Sequence, residues 1–114
     1  MKRLNKTNIE WSRKVSSIDQ LEEIYGKPNP ASLIKEIDFI SEEYRKFIEV
    51  SPFAVLATVG EAGLDCSPRG DPPGFVKVHD HKTVLLPDRR GNNRLDSLRN
   101  LVRDPRCSLL CLIP

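Results

Sequence analysis

No apolar stretch in this 114-residue chain approaches the roughly 20 residues needed to span a bilayer. The longest runs, Phe53 to Val59 and Cys107 to Ile113, are strand-sized, so no membrane association is expected. The basic start, Met1-Lys2-Arg3-Leu4-Asn5-Lys6, is followed by no apolar segment and lacks the middle of a secretory leader, which makes a cytoplasmic location the expectation. Charge of one sign is also scarce: 18 Lys and Arg stand against 16 Asp and Glu, a net +2 that implies no polyanionic partner. Only three cysteines are present, an odd number with no closely spaced pair of the metal-binding type, which suits a reducing compartment better than a disulfide framework. Cys107 and Cys111, an even number of residues apart, share one face of a strand and are expected to be buried there. His79 and His81 have no third ligand at useful spacing and read as exposed turn residues rather than a metal site. Gly-x-Ser-x-Gly is missing, and Cys66 and Ser67 have no base beside them in the sequence. There is no internal repeat.

What is present divides at about residue 50. Residues 1–50 hold one Gly and two Pro, whereas residues 51–114 hold five Gly and seven Pro. The length allows one small domain, expected as a polar leader over 1–16 and a domain over 17–114 that is helical in 17–50 and strand-rich in 51–114. Ser17 and Gln20 have capping-box spacing before Ile18, Leu21, Ile24 and Tyr25, and Gly26 and Pro28 follow as stops. Leu33, Ile37, Ile40, Tyr44 and Phe47 advance by four, three, four and three, an apolar stripe belonging to one helix or, if Asp38 or Ser41 caps a second start, to two. Phe53 to Val59 and Leu64 to Ser67 flank Gly60-Glu61-Ala62-Gly63 as a hairpin. Residues 68–74, Pro-Arg-Gly-Asp-Pro-Pro-Gly, are expected to leave the sheet as a loop. A second hairpin is expected from Phe75 to His79 and Thr83 to Pro87. A helix marked by Leu95, Leu98, Leu101 and Val102 then ends at Asp104-Pro105, and a last strand runs from Arg106 to Ile113. The fold class expected is mainly β with flanking helices, an antiparallel meander curling toward a small barrel. Its final strand would carry an open edge, so either a partner chain covers it or the barrel is incomplete at the C-terminus.

The best candidate for chemistry is Gly91-Asn92-Asn93-Arg94 at the start of that helix, where free N–H groups and a guanidinium would suit a phosphate. The competing reading makes Asn92 or Asn93 a simple N-cap. Arg69, in the proline-rich loop, either joins the same anion site or pairs with Asp65 or Asp71. Arg89, Arg90, Arg94, Arg99, Arg103 and Arg106 do not make a nucleic-acid stripe, because Asp88, Asp96 and Asp104 interrupt them and no aromatic residue follows Phe75.

The segments Ser51-Pro52-Phe53, Leu56-Ala57-Thr58, Asp65-Cys66-Ser67-Pro68-Arg69-Gly70-Asp71, Gly74-Phe75-Val76, Pro87-Asp88-Arg89-Arg90-Gly91-Asn92-Asn93-Arg94 and Leu112-Ile113-Pro114 resemble the pyridoxamine 5′-phosphate oxidase-like, FMN-binding split-barrel family, and most closely its uncharacterised flavin-binding branch. The resemblance runs from about residue 20 to the end. It implies a six-stranded split barrel, here incomplete, that forms a homodimer with FMN in clefts at the subunit interface. The phosphate would lie near Asn92, Asn93 and Arg94, with Arg69 a further candidate. The flavin ring would follow the backbone of Ser67 to Gly70, with Asp71 beyond it, and of Phe75 to Val78, which includes Val76. Pro87 and Asp88 would lie near the ribityl chain. The implied activity is FMN-dependent oxidoreduction of a small-molecule substrate with a separate electron donor. A non-catalytic flavin or phosphate-ligand module, or a fragment of such a protein, is the alternative.

Overall fold

The computed structural model describes residues 11–88 and 95–114 and falls into two compact units, one ending at Ile37 and the other beginning at Asp38. In the first unit, α1 (Ile18–Tyr25) starts where Ser17 Oγ accepts the Gln20 N–H at 3.1 Å. The return half of the capping box lands one residue early, with Gln20 Oε1 accepting the Ser16 N–H at 2.9 Å. Gly26 closes the helix at φ 72°, a left-handed backbone that a side chain would strain, and its N–H donates to Glu22 O at 2.7 Å. A short α2 (Pro30–Ile34) follows, capped by Asn29 Oδ1 with proline at the first helical position.

The second unit opens with α3 (Glu42–Val50), whose N-cap Ser41 Oγ accepts the Tyr44 N–H at 3.2 Å. The long apolar stripe is thus interrupted: Leu33 falls in α2, Tyr44 and Phe47 in α3, and Ile37 and Ile40 between them, with Ser41 rather than Asp38 starting α3. The strands are β1 (Phe53–Gly60), β2 (Gly63–Gly70), β3 (Lys77–Asp80), β4 (Thr83–Leu85) and β5 (Cys107–Leu112), and α4 (Asp96–Arg103) lies before the last. They form two antiparallel sheets, β2-β1-β5 and β3-β4. Among the described residues no strand pairing joins β2 to β3 or β4 to β5. The expected meander is therefore corrected: the last strand returns to pair with the first, Phe53 opposite Leu112, and the two sheets do not close into a barrel.

The expected loop at 68–74 is also corrected, because β2 continues through Pro68, Arg69 and Gly70. Counting from the Gly60–Gly63 pair that closes the hairpin, hydrogen-bonded pairs recur at every second residue. Pro68, opposite Val55, falls at a position whose N–H would have pointed away from β1, so its missing donor costs the ladder nothing on this edge strand.

The pairing register divides the three-stranded sheet into two faces. Ala54, Leu56 and Thr58 of β1, their partners Arg69, Ser67 and Asp65 of β2, and Cys111 and Leu109 of β5 share one face. Buried Ala54, Phe75 and Val76 form its core, with Ile48, Val84, Leu86, Leu109 and Cys111 packed against them. Cys107 shares that face but is exposed, contrary to expectation, because the core does not reach the start of β5; Cys111 is half-buried, and burial pushes its thiol pKa up. Ser51, fully buried at the end of α3, points its hydroxyl at Phe53 O (2.7 Å) and Leu112 O (2.6 Å), pinning the end of β5 to the start of β1. No helix among the described residues is long and apolar enough to cross a membrane.

Candidate functional site

The helix before the last strand does not sit as its apolar spacing suggests. Leu95, Leu98 and Val102 are exposed, Val102 at 88%, and the residues that α4 buries are Ser97 and Asn100. A polar face can be buried only if its donors find acceptors. Here the Asn100 Nδ2 donates to Thr58 Oγ1 at 3.0 Å and to Asp65 Oδ2 at 2.6 Å, so both amide protons are satisfied by the sheet. At the far end of the helix, Arg103 Nη1 stands 3.4 Å from Glu61 Oε1 on the hairpin turn.

This docking leaves a cleft of about 420 Å³ between the free edge of β2 and the first turn of α4, within the size range of small-molecule sites. Asp65, Cys66, Ser67, Pro68 and Arg69 form one wall; Asp88 and the run Leu95 to Leu98 form the other. Because β2 is an edge strand, the backbone carbonyls of Cys66, Pro68 and Gly70 and the N–H groups of Cys66 and Gly70 point away from β1 along that edge. The N-cap of α4 is Leu95, left-handed at φ 57° and unable to offer a capping oxygen, so among the described residues no N-cap side chain holds the first-turn N–H groups. The helix begins at Asp96, so neither Asn92 nor Asn93 occupies the N-cap position that the competing reading gave them.

Of the residues singled out from the sequence, Ser67, Arg69 and Asp88 meet in this cleft. Arg69 is half-buried and makes no hydrogen bond or ion pair to any described residue, so it pairs with neither Asp65 nor Asp71. Gly70 ends β2 beside the cleft, and the Asp71 N–H donates to Pro52 O at 3.2 Å. Val76 is elsewhere: its side chain is fully buried in the core, which leaves only its backbone for any ligand. Pro87 is half-buried next to Asp88. Asn92, Asn93 and Arg94 lie outside the described residues, but the two ends of that segment, Asp88 and Leu95, both line the cleft. His79 and His81 are exposed at the β3–β4 turn, as expected, and the His81 carbonyl accepts the Ile40 N–H at 2.8 Å.

Sequence reasoning missed Asp65, Ser97 and Asn100. The signal for Asp65 was available, since period-two alternation puts it on the same face as Ser67 and Arg69. For Asn100 there was none, because its burial depends on partners more than thirty residues away.

No curated protein and no solved structure matches the chain. Residues 40–113 match the family model described as pyridoxamine 5′-phosphate oxidase, and this stretch covers the sheets, α4 and the cleft. The chain therefore belongs to the pyridoxamine 5′-phosphate oxidase family.

Proposed function

We propose that the chain is an FMN-binding protein of the flavin-binding branch of this family, acting as an FMN-dependent oxidoreductase on a small-molecule substrate with a separate electron donor. The observation that carries the reading is Arg69. A half-buried guanidinium with no described carboxylate partner gains most from an anion, and phosphate accepts its planar fork of donors in bidentate fashion. Asp65 lies four residues away on the same face, about 13 Å along the strand, and its Oδ2 is already held by Asn100. The Asp65 carboxylate is thus held away from the Arg69 end, where we place the phosphate.

The free edge of β2 from Ser67 to Gly70 supplies alternating donors and acceptors suited to the rim of a planar heterocycle. Asp88 and Pro87 take the ribityl side, and Asn92, Asn93 and Arg94 complete the phosphate shell. FMN when bound supplies hydride-transfer chemistry, and the chain's own residues bind, orient and shield it. The partner we propose is a second copy of the chain, supported by the apolar outer face of the three-stranded sheet. The three unpaired thiols suit the reducing cytoplasm.

Purified protein loaded with FMN tests this directly. The flavin should co-purify through gel filtration, and NADH or NADPH should bleach it with recovery in air. Bound flavin that no donor bleaches would favour a carrier; flavin that does not co-purify would overturn the reading.

A further inference from the structure

We propose that Asn100 is the positioning residue that sets the width of this cleft, holding its two walls in register for the phosphate-bearing ligand; the ligand rests on the function proposed above, the clamp on geometry alone. Asn100 is 4% exposed and Thr58 1% exposed, so the bond to Thr58 is dry, while Asp65 receives the second amide proton at the exposed edge of the cleft. Its two donors are divided between the walls' supports: one goes to Thr58 Oγ1 of the central strand, the other to Asp65 Oδ2 of the cleft edge. Asp96 and Ser97, four and three residues earlier on the same face of α4, line the opposite wall. One side chain thereby ties the β2 wall to the α4 wall one helical turn away.

The hairpin leaves room for the clamp. A Cβ on Gly60 would stand 2.8 Å from Asp65 Oδ2, so glycine there keeps the carboxylate where Asn100 reaches it. An amide is also the one short side chain that gives two donors at this point without bringing a charge beside Asp65.

The test replaces the amide by its acid. In Asn100→Asp, one proton shared with Asp65 restores an O–H···O bond in place of N–H···O, and like charge together with burial raises the pair's upper titration. Below that titration the walls should close and FMN affinity should lie near the wild-type value. Above it both carboxylates are ionised, and affinity should fall by about tenfold or more between about pH 5 and pH 8 relative to wild type. Asp88, Asp96, Arg69 and Cys66 line the cleft, and the Glu61–Arg103 pair bridges the hairpin turn, in both proteins, so the difference between the two titrations isolates the new pair.

The swapped double variant, Asp65→Asn with Asn100→Asp, returns one donor and one acceptor to the contact and should recover both affinity and a wild-type pH profile, which loss of packing alone would not do. In the ligand-free chain, the amide resonances of Ser67 and Ser97, one on each wall, should titrate together in Asn100→Asp and not in the swap. Wild-type affinity at every pH in Asn100→Asp, or a swap that stays weak, overturns the clamp. Should the wild type bind no FMN, the proposed function fails, and the coupled amide titration still decides for or against the clamp.

Discussion

Single residues carry unequal weight in this molecule. Ser51 is fully buried and has one hydroxyl proton and two carbonyls within 2.7 Å. Ser51→Ala leaves those carbonyls without that donor and should lower unfolding stability by about 1–3 kcal/mol, read from denaturant midpoints at unchanged slope. Val76 fills the core, so Val76→Ala should cost about 2 kcal/mol of stability. If Val76 meets the cofactor only through its backbone, FMN affinity of the folded variant should be unchanged, and a loss there would show a side-chain contact. Arg94→Ala should weaken FMN binding by about 1.5–3 kcal/mol, the range for a hydrogen bond to a charged group. Unchanged affinity in titration would remove Arg94 from the phosphate shell.

At the scale of elements, the turn between α4 and β5 carries an ion pair. Arg106 Nη2 lies 2.7 Å from Asp104 Oδ2, and the Arg106 N–H donates to Asp104 Oδ1 at 3.0 Å. These contacts hold the Asp104 carboxyl down at a pKa of about 2. Since the folded value lies below the unfolded one, the stabilisation is present above the ordinary carboxylate range and is lost as pH falls from about 4 through about 2. Carboxyl titration by NMR should show Asp104 moving up toward the ordinary value in Arg106→Ala; an unmoved titration would assign the depression to another cause.

The elements differ in how far local sequence announces them. Ser17, Ser41 and Gly26 are short-range signals, and each starts or stops a helix where its chemistry dictates. Pro68 misled because a proline is disruptive only where its N–H is needed, and which side of β2 faces β1 is set by register, not composition. The spacing of Leu95, Leu98, Leu101 and Val102 marked α4 correctly, but of the four only Leu101 is half-buried and the face against the sheet is the one that carries Ser97 and Asn100. The decisive partners, Thr58 and Asp65, lie in a different part of the chain. Arg69 was singled out from its loop and Asp88 by the family resemblance, whereas the cleft that both line exists only once α4 docks against the sheet.

The whole molecule presents an imbalance between its two sheet faces. One is covered by α3, α4 and the Phe75–Val76 segment; the other carries Leu64 at 80% exposure and Leu110 at 58%, with Phe53 and Leu112 beside them. Apolar surface of this kind on a sheet is a docking liability unless covered. If a second copy covers it, Leu110→Glu should convert a dimer to a monomer in light scattering, while a wild type that is already monomeric would refute the proposed assembly.

Beneath these predictions lies the claim that the cleft between β2 and α4 holds the phosphate of FMN at Arg69. Phosphorus NMR of FMN titrated with the protein tests it most directly. Wild type should shift or broaden the phosphate resonance in a saturable way, and Arg69→Gln, checked to be folded, should abolish or sharply weaken that response. A phosphate signal indifferent to the protein, or one that responds equally to both proteins, would contradict the account.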